Sequence, residues 1–410
     1  MTNRTLFANG RILPCTGVED GPSHGAILVE GEHIAAVFRE GEELPDNQRL
    51  VDLRGATIMP GLGDAHVHFG QPLDFAYDFA ALGALPDHEA GLSTAAVARR
   101  YLECGVTTCV SGGNGQARGD IALKAAIDRN WLAGPRLLAG SMMISDPDGI
   151  PTDAMPSTVE EMRRVVAAQC DMGAQVIKLF LSGETVMPPG APDYPVERTY
   201  MNESLVDAAV CEAERGGAFV HAHARGAGSV KLAARCGVRL ISHASTVDDE
   251  GLRLLQDRDD VWVCPGLHYL WAMPNLAEEP YRSIGRAYAA EYEEAADTVT
   301  KLIDAGIPVV TGGDYGHVWI PHGEVARDIE HLVARCGILA AEALMMATRN
   351  FGPLTGMPVG RIEPGYFADF LVLDGDPLSD VTLLQNPDDR RLVIKGGEIA
   401  WTNQVAFVSA

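Results

Sequence analysis

Residues 59–70 read MPGLGDAHVHFG, and the change of texture across them decides the fold. The run ATIMPGL before them is apolar, as a strand buried on both faces would be, and the segment ends on His66 and His68. On a β-strand an i, i+2 pair sends both side chains to one face, about 6–7 Å apart along the chain. Two neutral imidazoles placed this way suit a borderline divalent ion, zinc before others. By itself the pair also reads as a polar patch satisfied by hydrogen bonds. The rest of the chain has to supply the missing ligands.

Before this point the chain reads as short strands broken by turns: TLFANGRIL, GAILVEGEHIAAVF and LVDLRGATIM, with NG and EGE between β-rich runs. After it, short apolar runs (TTCVSGG, QVIKLF, AFVHAHA, VRLISHA, VWVCPG, PVVTGGD) alternate with helical segments such as TVEEMRRVVAAQCDMG and VARDIEHLVARCG. Strand–helix alternation with buried strands predicts parallel βα units, and eight of them would close a (β/α)8 barrel. Beyond residue 357 the pattern returns to turn-separated strands in RIEPGYFADFLVLDGDP and RRLVIKGGEIAW. The expected class is therefore α/β. A TIM-like barrel over 59–356 is inserted in a small composite β-sandwich domain built from 1–58 and 357–410.

Composition bounds the function. The 410 residues exceed what one small core needs and suit a barrel plus an accessory domain. Lys plus Arg is 32 against 56 Asp plus Glu, a formal charge of −24, which argues against nucleic acid and anionic membrane as partners. The eight cysteines lack CxxC spacing and read as reduced. Neither a signal-like apolar stretch at the start nor a run of 18 apolar residues is present, so a cytoplasmic location is expected.

Chemistry-bearing residues collect at the ends of the predicted barrel strands. His66 and His68 end the first, Lys178 sits in QVIKLF, His221 and His223 end AFVHAH, His243 ends VRLISH, and Asp314 follows PVVTGG. Each has an ordinary explanation alone: a paired lysine, a turn aspartate, a core histidine. Seven such residues on five strands at the end where barrels place their chemistry point jointly to a metal site.

At this point the chain resembles the amidohydrolase superfamily, in its prolidase-like and imidazolonepropionase-like branch. The resemblance spans nearly the whole chain, through PGLGDAHVH, YLECGVTTCVSGG, GPR, VIKLF, HAHARG, ISHAS, TGGDYG, PHGEVARDIEHLV and GRIEPGYFADFLVLDGDPLSD. It implies a binuclear metal-dependent hydrolase with two divalent ions, most naturally Zn2+. His66, His68 and Asp314 would bind one ion and His221 and His243 the other, with Lys178 carboxylated on its amine as the bridge. A carbamate suits that place where an ammonium would be repelled, and a desolvated lysine has the lowered pKa that carbamate formation needs. The implied reaction is attack of metal-bound hydroxide on an amide-type carbonyl, with Asp314 as general base and then acid. Homo-oligomer formation is likewise implied, with a small molecule as substrate.

Two features discriminate within the superfamily. Its deaminases carry a glutamate shortly after the fifth-strand histidine, whereas His221 is followed by Ala222, His223 and Ala224. Lys178 also favours an amidase over a mononuclear zinc deaminase or an imidazolone-ring hydrolase, the alternative readings. A non-catalytic barrel scaffold would be expected to have lost ligands, and this chain keeps them all. Against the prolidase-like pattern, no histidine stands in MMISDPDGIPTDAMP (142–156), where one would polarise the carbonyl. His268, in CPGLHYLWAMP, is the proposed substitute, and His223 is expected to contact substrate or oxyanion. Phe69, Phe75, Phe79, Tyr269, Trp271, Tyr315 and Trp319 cluster in the candidate loops and suggest a pocket for an apolar or aromatic molecule. Arg118 and Arg225 are further candidates, for a substrate carboxylate.

Overall fold

The computed structural model describes residues 4–46, 49–76, 78–185, 187 and 190–403. The N-terminal segment forms β1 (Arg4–Ile12), β2 (Ser23–Glu30), β3 (His33–Arg39), β4 (Arg49–Asp52) and β5 (Thr57–Pro60). Gly31, with φ 61°, makes the tight turn that pairs Glu30 with His33. Next come the parallel strands β6 (Leu62–Val67), β7 (Val106–Ser111), β8 (Arg136–Leu138), β9 (Met143–Ile144), β10 (Val176–Phe180), β11 (Phe219–Ala224), β12 (Leu240–His243) and β13 (Trp262–Cys264). The chain returns through β14 (Phe370–Leu373), β15 (Arg390–Lys395) and β16 (Glu398–Thr402).

Both chain ends share one eight-stranded sheet, ordered β16-β15-β14-β5-β1-β2-β3 with β4 beside β1. The join is the antiparallel β5–β14 pair, in register from Thr57↔Leu373 to Pro60↔Phe370. Phe7, Ile27, Ile58, Phe370 and Ile394 pack on one side of it.

The parallel strands fall into β6-β7-β8 and β13-β12-β11-β10-β9. They are almost wholly buried, as expected where helices cover the faces. Hydrogen bonds join the two groups. Val176 N–H donates to the Ala139 carbonyl at 3.2 Å, and Ala65 N–H to the Thr311 carbonyl at 2.9 Å. Segment 308–311 also meets β13, through Val310 N–H to the Val263 carbonyl at 2.9 Å. The eighth expected strand, PVVTGGD, is thus reduced to isolated bridges, Val263↔Val309 and Val67↔Tyr315. Its Gly-Gly pair and the left-handed Asp314 that follows leave it too irregular for a longer ladder.

The helices follow local signals. Helix 159–172 is capped by Thr158, whose side chain accepts from Glu161 N–H, and stops at Gly173 with φ 105°. Its Met162 and Val166 face the core one turn apart. Among the described residues no helix is long and apolar enough to cross a membrane. All eight cysteines are free.

Candidate metal centre

Register places the donors. Lys178 on β10 pairs directly with His221 on β11, so the two side chains leave the sheet side by side. His66, near the end of β6, projects toward both. Lys178 Nζ lies 2.8 Å from His66 Nε2 and 3.2 Å from His221 Nε2. His66 stands 5.1 Å, ring centre to ring centre, from His68, 4.9 Å from His221 and 5.2 Å from His243. Asp314 closes the group, its Oδ1 at 3.1 Å from His68 Nε2 and 3.7 Å from His66 Nε2. One donor atom each from His66, His68 and Asp314 lies within 4.8 Å of the others, a spacing that could hold an ion.

Backbone strain sits at the same place. His243 (φ 72°), Ala244 (φ 45°) and Asp314 (φ 56°) all adopt left-handed conformations, which non-glycine residues rarely take. The surrounding packing holds these turns so that both side chains point inward.

Two carbonyls of one turn aim the rings. His68 Nδ1–H donates to the Gly113 carbonyl at 3.0 Å, and His221 Nδ1–H to the Ser111 carbonyl at 3.1 Å. A carbonyl only accepts, so these bonds fix the tautomers and leave the Nε2 lone pairs facing the centre. His221 Nε2 also meets the Ser242 hydroxyl. The turn lies close against the rings because residue 112 is glycine. A Cβ there would come within 2.5 Å of His66 Cδ2 and 2.9 Å of His68 Nε2. Buried Asp120 fixes the turn in its place, accepting from Ser111 Oγ at 2.5 Å and Asn114 Nδ2 at 2.7 Å. Asp120→Ala is expected to lower metal affinity about 10–100-fold, as loss of outer-shell orientation does. Asp120→Asn, which keeps one acceptor, should recover part of it. Metal titration of the folded variants checks this, and unchanged affinity would show that the turn holds without Asp120.

Burial dominates the electrostatics. It holds His66, His221, His223 and His243 well below the ordinary histidine pKa, so these rings are neutral and can act as donors. It also brings the Lys178 amine down to about 7. Burial pushes Asp314 up, but the contact with His68 and the nearby Lys178 outweigh it and hold the carboxyl below its usual range. The Nε2 of His243 is buried with no hydrogen-bond partner among the described residues. Such an atom costs free energy unless a ligand satisfies it. Imidazoles facing inward, an ionised carboxylate and an orphaned nitrogen form a donor set that fits divalent ions.

A cavity of about 520 Å³ opens beside the cluster, lined by His66, His68, His223, Asp314 and His317 among others. The size suits a drug-sized molecule. His223 reaches it with its ring stacked 4.7 Å from Phe180, and its Nε2–H donates to the Gly183 carbonyl at 2.9 Å. His317 was missed in the sequence, although it stands only three residues past Asp314. Its ring stacks on Trp319 at 5.4 Å.

Several sequence expectations need correction. His268 does not line this cavity. Helix 267–276 holds it buried away from the cavity, where its backbone N–H donates to Asp328 at 2.9 Å and its ring Nδ1 meets His331 Nε2 at 3.1 Å. Of the loop aromatics whose side chains are described, only Tyr269 lines the cavity, together with Phe180 and Tyr194, which the sequence reading did not single out. Phe69, Phe75, Trp271, Tyr315 and Trp319 do not line it and pack instead against Tyr101, His317 and His268. The Phe79 side chain lies outside the described residues. Arg225 is not open to a substrate carboxylate. It is buried, with Nε 2.9 Å from Glu184 and Nη1 2.8 Å from Glu291. Arg118 is exposed and does not line the cavity.

Comparison with known proteins gives the family and the fold. The model of the amidohydrolase family matches residues 57–400. Ochratoxinase of Aspergillus niger is 26% identical over 437 aligned residues, covering 96% of this chain and 86% of that protein. Imidazolonepropionase of Rubrobacter xylanophilus is 27% identical, covering 92% and 90%. The crystal structure of a Xaa-Pro dipeptidase with methionine in its active site superposes with a TM-score of 0.83 at 24% identity, covering 98% of this chain and 100% of that one. That last likeness concerns the fold.

Proposed function

The chain belongs to the amidohydrolase family, as a hydrolase acting on C–N bonds, and from that premise we propose that it is a binuclear enzyme cleaving an amide-type bond of a small apolar or aromatic molecule. The observation that carries the proposal is the convergence of His66, His68, His221, His243 and Asp314 around Lys178. His66, His68 and Asp314 would hold one ion, and His221 and His243 the other. Lys178 would bridge them after its neutral amine, available with a pKa of about 7, has taken up carbon dioxide and lost a proton. Divalent ions bound there supply Lewis acidity and bring the pKa of water from 15.7 toward about 7.

The protein's own groups do the rest. The Asp314 carboxylate, ionised and beside His68, takes the proton of the attacking water and passes it to the leaving nitrogen. His223 lines the cavity with its Nε2–H held by the Gly183 carbonyl, so its substrate contact would be through the Nδ1 lone pair, accepting from a substrate N–H. The apolar walls exclude water from the reacting bond and receive a ring.

The same reading takes residues 59–356 as a closed (β/α)8 barrel and residues 1–58 with 357–410 as a composite β-sandwich domain. The hydrogen bonds of Ala65 to Thr311 and of Val176 to Ala139 support closure. Eight free cysteines support a reducing, cytoplasmic setting.

The test is a screen of zinc-loaded protein against N-acyl amines, aryl amides, cyclic amides and carbamates, with amine release as the readout. Turnover of at least one of these, abolished by chelation, is expected. Ammonia released from aminated rings with every amide left intact would replace the amidase reading with a deaminase one.

A further inference from the structure

The described wall of the cavity offers no cationic side chain for a ligand beyond the histidine cluster. Among its described lining residues there is no lysine and no arginine. Residues 1–3, 47–48, 77, 186, 188–189 and 404–410, which lie outside the description, contain neither residue type. Two cations approach from behind the wall, and both are already engaged. Lys178 is buried against His66 and His221. Arg225 spans Glu184 and Glu291, and its guanidinium lies 5.5 Å from the Tyr269 ring and 5.6 Å from the Tyr288 ring. One guanidinium there faces two carboxylates, so it has no positive charge to spare for a ligand.

What the wall does carry is neutral or acidic. Gln71, Asn114, Gln116 and Thr152 offer uncharged polar atoms. Asp153 stands at the cavity with its Oδ2 accepting the Met143 N–H at 2.9 Å. It makes no ion pair among the described residues. Met143, Ile150, Pro151, Phe180 and Pro192 supply much of the remaining surface.

A substrate carboxylate held against this wall, away from the ions proposed at the histidine cluster, would lose hydration and gain no lysine or arginine in exchange, which is costly, and it would meet Asp153 as a like charge. A neutral ring or alkyl group would bury its surface against apolar walls at no such cost.

We propose that this site selects amides without a free carboxylate, such as N-acyl amines and anilides, and discriminates against N-acyl amino acids and dipeptides. The inference rests on the amidase reading above and adds to it the charge of the substrate. It separates this chain from enzymes that recognise a substrate by its terminal carboxylate.

The test compares two substrates that differ by that one group, N-acetylphenethylamine and N-acetyl-L-phenylalanine, with zinc-loaded enzyme. The kcat/KM of the first is expected to exceed that of the second by at least about tenfold, an unpaired buried charge being the difference. Equal values, or a preference for the acid, would overturn the proposal. Asp153→Asn keeps an acceptor for the Met143 N–H while removing the charge, and it is expected to narrow the ratio about threefold or more, as loss of a nearby like charge should. A ratio unmoved by that change overturns the electrostatic origin claimed here. If neither compound nor any other amide is cleaved, the amidase reading itself fails and takes this inference with it. The two failures are therefore distinguishable.

Discussion

Asp314→Asn is expected to lower kcat by about 10²–10⁴-fold, the range a positioned proton-transfer group contributes, with little change in thermal stability. Asparagine is nearly isosteric with aspartate and tolerates the left-handed conformation that residue 314 adopts at φ 56°. The turn should therefore survive, and the amide keeps an oxygen at the position of Oδ1, 3.1 Å from His68 Nε2. What disappears is a carboxylate able to take a proton from water and return it to nitrogen. Steady-state kinetics beside a melting curve measure both effects. A loss of less than about tenfold in kcat would remove Asp314 from proton transfer.

The second large effect is at Lys178. In the proposed centre Lys178 would bridge two ions, so Lys178→Met should reduce amide turnover at least about 10³-fold. The same substitution should leave the melting temperature unchanged or raise it. It replaces a desolvated amine, whose pKa burial has already lowered to about 7, with an unbranched apolar side chain of similar length. Catalysis and stability would then move independently, as expected of a residue kept for chemistry. A variant that loses activity only because it unfolds would show a fall in both, and one that keeps activity would make Lys178 a packing residue.

Much of this was legible in the chain because the candidate ligands are tied to strand ends. The i, i+2 spacing of His66 and His68 and the strand endings of His221 and His243 carry their positions in local periodicity. The parallel register that sets Lys178 beside His221 follows from two apolar strands of similar length. The orienting groups left no trace. Two of them are backbone carbonyls, of Ser111 and Gly113, and a carbonyl is present whatever the residue. Asp120 acts through that turn and reads in sequence as an ordinary helix-start aspartate.

His268 misled for a different reason. It follows β13 in a loop-like stretch, but the residues around it form a helix whose start is bonded to Asp328, and the ring turns to His331. The loop aromatics misled similarly: proximity in sequence to a strand end did not say which ring would face the cavity and which would support it. Tyr315 is the clearest instance, adjacent to Asp314 yet turned away to donate its hydroxyl to Asp328 at 2.6 Å. The charge of the pocket was hidden too, because Arg225 looks available until Glu184 and Glu291 are brought to it from two distant segments.

The central claim is that this cluster holds two ions that act together. Stripping the enzyme with a chelator and titrating zinc back, while following amide turnover and bound metal per chain, tests it most directly. The account predicts activity that rises to a plateau at two ions per chain, and no such second ion in Lys178→Met. Full activity at one ion per chain, or turnover indifferent to metal, would contradict it.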